Sequence, residues 1–146
     1  MVIIRGGGLG DFLLVLPILF EASKRYERVH LFCRSTYHQI GCGQLPANLS
    51  IYDLDAQIGK LNEICLNSDV LCFWKDPEWI KELGDYGTSR ILTLNPRPSI
   101  GVHFTQNILD KLGWKLKTPN LKVSWLGDYW KSSNVTLWIH PGSGSR

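Results

Sequence analysis

The chemistry-bearing residues of this sequence stand close to its start. Arg5-Gly6-Gly7-Gly8-Leu9-Gly10-Asp11 follows the apolar stretch Val2-Ile3-Ile4 and leads into a longer apolar segment. A strand, a glycine-rich loop and a helix in that order present backbone N–H groups at the helix N-terminus, and glycine lets a ligand approach them closely. Asp11 adds a carboxylate, which sits favourably in the helix dipole. Two chemistries compete for this arrangement. A dinucleotide loop needs G-x-G-x-x-G and an acid ending the second strand to hold a ribose. Here Asp11 stands where the third glycine belongs, and the second strand ends Cys33-Arg34. A carboxylate beside a pyrophosphate would repel it. Alternatively, a positioned carboxylate serves as general base toward an alcohol nucleophile. A plainer pair of roles stays open beside these, with the glycines allowing tight strand–helix packing and Asp11 acting as a helix cap.

These residues need elements to position them. The pattern predicts strands at 2–5, 29–33, 49–53, 70–74 and 90–94, the fourth a continuous apolar run suited to a parallel strand buried on both faces. Between them it predicts a helix over 12–26 that is interrupted by Pro17, and a short helix over 36–43. An amphipathic helix follows over 56–66 with Ile58, Leu61, Ile64 and Cys65 inward, then a short helix over 78–83 after Pro77. The alternation is that of a doubly wound parallel α/β sheet. Beyond Asn95-Pro96-Arg97-Pro98 come a helix over 102–112 stopped by Gly113 and a polar stretch over 115–122. A strand-like run at 135–139 then ends in His140-Pro141-Gly142-Ser143-Gly144-Ser145.

Composition narrows the class. The chain has 146 residues, 16 Lys and Arg against 13 Asp and Glu, a net charge of +3, and 44% hydrophobic residues. That balance excludes a disordered tail, a collagen-like repeat and a disulfide miniprotein. The basic residues are scattered rather than striped, so no nucleic-acid partner is expected. Of the four cysteines, Cys33, Cys42, Cys65 and Cys72, no pair has CxxC spacing, and Cys33 and Cys72 sit in apolar runs. They read as small buried hydrophobes in a reducing compartment, without a metal. Arg5 and the apolar run 12–20 faintly imitate a signal peptide, but glycines and Asp11 precede the run and no small-residue cleavage site follows. No apolar run reaches the roughly 18 residues of a membrane span. The chain reads as cytoplasmic.

Three segments together resemble glycosyltransferase family 9, the heptosyltransferases of lipopolysaccharide core assembly and their relatives. The opening Ile3-Ile4-Arg5-Gly6-Gly7-Gly8-Leu9-Gly10-Asp11-Phe12-Leu13-Leu14-Val15-Leu16-Pro17 is similar to the family's N-terminal signature. Asn107-Ile108-Leu109-Asp110-Lys111-Leu112-Gly113-Trp114 resembles its helix before the interdomain linker. Trp138-Ile139-His140-Pro141-Gly142-Ser143-Gly144-Ser145 resembles the turn after the first strand of its second domain.

The resemblance implies a GT-B fold, two Rossmann-like domains facing each other across a cleft. Residues 1–100 would be the N-terminal acceptor domain, 101–133 a helix and linker, and 134–146 the first strand and turn of a truncated donor domain. It implies an inverting, metal-independent transfer from a nucleotide-sugar donor such as ADP-heptose to a lipopolysaccharide-core-type acceptor, with no cofactor. Asp11 would be the base, and Gly7, Gly8 and Gly10 would keep backbone close to the acceptor sugar. Arg5, Arg97 and His103 would face the acceptor, while Ser143, Gly144 and Ser145 would cradle the donor phosphates. Arg34 ends a predicted strand in the same manner as Arg5 and Arg97, but no motif maps these arginines individually.

The basic and aromatic stretch that follows the second-domain turn in that family has no counterpart here, so this half is expected to be inactive alone. A nucleotide- or NAD(P)-binding Rossmann enzyme and a non-catalytic acceptor-binding module remain alternatives. The six tryptophans are read as core and linker packing, with Trp125 and Trp130 flanking the linker. The run 135–139, a strand without its own sheet, is expected to join the existing sheet, pair with another molecule or stay poorly ordered. Peripheral association with the cytoplasmic face of the inner membrane is a further implication of the resemblance.

Overall fold

The computed structural model describes residues 1–34, 37, 45–96 and 103–114. The expected helix over 36–43 (apart from Tyr37), Cys42, Arg97, the linker with Trp125 and Trp130, the strand 135–139 and the turn with Ser143, Gly144 and Ser145 lie outside the described residues.

Five strands, β1 (Val2–Ile4), β2 (Val29–Cys33), β3 (Leu49–Asp53), β4 (Asp69–Cys72) and β5 (Arg90–Thr93), form one sheet in the order β3-β2-β1-β4-β5. Every pairing is parallel; β1 aligns Ile3 with Leu31 on one side and with Leu71 on the other. Helices α1 (Leu9–Ser23), α2 (Leu61–Cys65), α3 (Pro77–Asp85) and α4 (Phe104–Leu112) complete the described fold. This is a Rossmann-like α/β arrangement.

Alternation along the strands divides the core. Ile3, Val29, Leu31, Cys33 and Leu71 point to one face, where Val15, Leu16, Ile18, Leu19 and Ala22 of α1 and Ile108 of α4 cover them. Val2, Ile4, Phe32, Val70 and Cys72 point to the other, against Leu61 and Cys65 of α2 and Leu83 of α3. A short strand such as Val2–Ile4 is fully apolar because both of its faces are buried.

The ladder continues one residue past several strand ends. Arg5 N donates to Phe32 O at 2.9 Å, Phe73 N to Ile4 O at 3.2 Å, Leu94 N to Cys72 O at 2.8 Å and Leu54 N to Cys33 O at 2.8 Å. The loops after β1, β3, β4 and β5 therefore leave the sheet from fixed backbone.

Three elements differ from expectation. Helix α1 begins at Leu9, three residues before the predicted start, because Gly8 caps it in an extended conformation and Asp11 falls in its first turn. It runs on through Pro17, whose missing N–H leaves the Leu13 carbonyl without its helical donor. At the adjacent carbonyl, Leu14 O accepts the hydroxyl of buried Thr105 at 3.0 Å, which ties α1 to α4. The predicted helix over 56–66 is shorter: a 3-10 turn at Ile58–Lys60 precedes α2. Ile58, expected inward, is exposed, whereas Leu61 and Cys65 are buried as expected. The cause lies just upstream. Asp53 Oδ1 accepts from the backbone N–H groups of Asp55 and Ala56, and Gln57 Oε1 accepts from Asp53 N, so the chain turns there before a helix can start. Strand β4 ends at Cys72, so Trp74 lies outside it.

At the end of α1, Glu21 is buried with Lys24 and Arg25 on its carboxylate, each at 2.6 Å. Burial alone would raise the Glu21 carboxyl, but hydrogen bonds from Lys24 and Arg25 outweigh it and hold the group below its ordinary value. A carboxyl depressed in the folded state contributes stability above its unfolded pKa and loses it as pH falls through the folded value. Denaturant unfolding of Glu21→Gln should therefore show a deficit at pH 7 that shrinks on acidification toward pH 3; an unchanged difference across that range would contradict the pairing.

The three described cysteines are free and buried, as expected. Burial pushes the Cys33 thiol up to about 12 and the Cys65 thiol up to about 11, and raises that of Cys72. Since the thiolate is the nucleophile, peptide mapping after iodoacetamide at pH 8 should find Cys33, Cys65 and Cys72 unmodified in native protein and modified in denaturant.

Candidate functional site

In an open parallel sheet, ligands bind beyond the carboxyl ends of the strands where the strand order reverses. Here the chain goes outward from β1 to β2 and β3, then returns to the other side of β1 with β4 and β5. The switch point lies between β1 and β4, and a cleft of about 340 Å³ opens there. Ile4 and Arg5 line it at the end of β1, Gly6, Gly7 and Asp11 from the loop and α1, and Phe73, Trp74 and Pro96 from the loops after β4 and β5.

Arg5 is 5% exposed. Its guanidinium pairs with Asp11 Oδ1 and lies over the rings of Phe73 (4.8 Å) and Phe104 (5.2 Å), which stack on each other. Burial lowers the guanidinium pKa from its ordinary value, with Asp11 opposing that shift. Arg5 Nε has no hydrogen-bond partner among the described residues. Arginine's planar fork and weak hydration suit it to such a buried, ring-stacked position.

Asp11 is held at both oxygens. Oδ1 takes Arg5, and Oδ2 accepts from Gly8 N at 2.9 Å, while the side chain remains 38% exposed. Each carboxylate oxygen has two acceptor positions, so the open side of Asp11 can still accept from a hydroxyl. Gly7 makes this arrangement feasible. Its φ of +111° is one that residues with a side chain rarely adopt, and a Cβ there would lie 2.1 Å from Asp11 Oδ2.

Of the other residues expected at the acceptor, Gly8 donates its N–H to Asp11. Gly8 and Gly10 are exposed with open space where a Cβ would be. Arg5, expected to offer its charge to an acceptor, has it engaged by Asp11. His103 is the exposed N-cap residue of α4 and is not one of the cleft residues. Arg34 is exposed just past β2. Among the described residues no three His, Cys, Asp or Glu side chains gather as a metal site, and no helix is long and apolar enough to cross a membrane.

Two features of the site escape a reading of the sequence. One is the Arg5–Asp11 pair. The other is Trp74, expected in the core but 49% exposed at the cleft. It lies two residues past the end of β4 and packs edge-on against Trp79 of α3, with centroids 5.9 Å apart. Trp79 is fixed in turn by the cap of α3, where Asp76 Oδ1 accepts from Glu78 N at 2.9 Å and Trp79 N at 3.1 Å ahead of Pro77. Asp76→Ala should cost about 1 kcal/mol in denaturant unfolding, whereas a loss within error would mean that Pro77 alone sets the start of the helix.

Fold and site together define a Rossmann-like α/β domain with a carboxylate-bearing cleft at its switch point. No protein-family model, curated protein or solved structure matches the chain.

Proposed function

We propose that this chain is the acceptor-side half of an inverting glycosyltransferase of GT-B architecture, of the heptosyltransferase type. Its donor would be a nucleotide sugar such as ADP-heptose, and its acceptor a lipopolysaccharide-core-type glycan handled at the cytoplasmic face of the membrane. The observation that carries this reading is Asp11, fixed at the N-terminus of α1, part-exposed and lining the switch-point cleft. The acceptor hydroxyl donates its proton to Asp11 as its oxygen bonds to the anomeric carbon. The bond from that carbon to the donor's diphosphate breaks on the opposite face, and its electron pair leaves with the nucleotide. Arg5 holds the carboxylate's orientation, and Gly7 leaves it room. Gly144 with Ser143 and Ser145 would serve the departing diphosphate, and the transfer would need both halves of the cleft.

A dinucleotide site is disfavoured by the same geometry. The glycine loop's anion-binding position is already served by the protein's own carboxylate, since Gly8 N donates to Asp11. Asp53, which ends β3, caps its own turn through Asp55 N and Ala56 N.

Calorimetric titration of the 146-residue chain with an inner-core oligosaccharide, and separately with NAD and NADP, tests the reading. Saturable binding of the glycan, unaffected by NAD, is expected. Tight NAD(P) binding without glycan binding would replace it with the oxidoreductase alternative.

A further inference from the structure

Half of the cleft plays no part in the proton transfer. In the same cleft lining as the Arg5–Asp11 pair, Trp74 presents a large aromatic surface, 49% exposed. Tryptophan is highly buried on average, and Trp74 keeps about half of its surface open in the lining of a polar cleft. The indole is also held in place. Edge-on contact with Trp79 fixes one side, and the backbone is anchored where Trp74 N donates to Cys72 Sγ at 3.4 Å.

The two halves of the cleft ask different things of a ligand. Asp11, as a carboxylate, can only accept hydrogen bonds, so it needs an O–H or N–H and rejects an anion. The face of Trp74 is electron-rich and attracts a flat group edged with partly positive hydrogens. A nucleobase can stack on the indole and offer Asp11 an N–H, but it carries no alcohol for the transfer that Asp11 is proposed to serve, and a phosphate meets neither demand. Arg5 does not invert this preference, because its charge is taken up by Asp11. A pyranose meets both demands, since its ring C–H groups form an apolar face and its hydroxyls a donating rim.

We propose that Trp74 is the stacking platform for a neutral pyranose ring of the acceptor, whose hydroxyl donates to Asp11. The inference rests on the glycosyltransferase reading and adds the residue that selects the ring.

The indole N–H signals of the uniformly nitrogen-15-labelled chain provide the test, with the Trp74 signal assigned by its loss in Trp74→Phe. Methyl α-D-glucopyranoside and methyl α-D-mannopyranoside are titrated at the millimolar concentrations where single rings bind, and ADP and inorganic phosphate are titrated separately. Either glycoside is expected to shift the Trp74 indole signal and the Gly7 and Gly8 amides together and saturably, with ADP and phosphate leaving all three unmoved. Trp74→Ala should weaken glycoside binding, read at those amides, by roughly five- to tenfold, with Trp74→Phe falling between it and the parent. Glycoside shifts at Gly7 and Gly8 without the indole, or an unweakened Trp74→Ala, would overturn the stacking role while leaving the glycosyltransferase reading in place. A response to ADP but to neither glycoside would overturn both. Absence of any glycoside shift would also overturn the platform.

Discussion

Asp11→Asn, placed in a two-domain protein built on this acceptor half, is expected to slow sugar transfer by about 10²–10⁴-fold, the usual worth of a positioned general base. Acceptor KM should change far less, because the amide can still meet the hydroxyl. The substitution also has a structural cost. An asparagine has one oxygen where Asp11 has two, so either the Arg5 guanidinium or Gly8 N–H would face an NH₂ group instead of an acceptor. Arg5 is buried, but Asp11 keeps contact with water, so the stability loss should be about 1–3 kcal/mol rather than that of a fully buried broken pair. Rates are therefore to be compared well below both melting temperatures. Undiminished kcat in a folded Asp11→Asn protein would remove Asp11 from the chemistry and leave it as a cap.

The second large effect is expected at Gly7. A side chain there would have to adopt a φ of +111° and would place its Cβ 2.1 Å from Asp11 Oδ2. Gly7→Ala should lower unfolding stability by about 2 kcal/mol or more. It should also reduce transfer, because the carboxylate must leave Gly8 N to relieve the clash. Gly10→Ala is the contrasting case. Gly10 lies inside α1 with no atom within 4 Å of its added Cβ, so alanine should be neutral or stabilise by about 0.5–1 kcal/mol. Equal losses at the two positions would mean that the loop tolerates no substitution for reasons unrelated to Asp11.

Much of the sheet could be read from the sequence, because parallel strands buried on both faces announce themselves as short apolar runs. The apolar run at 29–33 coincides with β2, the alternating run at 49–53 coincides with the part-exposed edge strand β3, and Gly113 stops α4 with a left-handed φ of +67°. The failures occur where local hydrogen bonds compete with hydrophobic patterning. Ile58 had suitable helical spacing, but the Asp53–Gln57 turn delays the helix and leaves Ile58 outside. Trp74 continued an apolar run by composition, yet the ladder ends at Cys72 and its side chain emerges at the cleft.

Asp11 was legible as a candidate because a carboxylate behind glycines is chemically conspicuous. Its partner was not. Arginine is almost never fully buried, and nothing in the spacing of Arg5 and Asp11 says that the end of a strand and the start of the next helix bring them together across the glycine-rich loop. The faces of Phe73 and Phe104, distant in sequence, make that burial tolerable, and their convergence is a tertiary fact.

The extra ladder bonds at Arg5, Leu54, Phe73 and Leu94 bear on how such a domain can diversify. They clamp the loops where they leave the sheet, so a substitution farther along a loop need not propagate into strand register. Asp11 and Trp74 hang from separately clamped segments on either side of the switch point. One could be retained while the other was exchanged, so a lineage of such domains can keep the carboxylate and its loop while varying the aromatic wall.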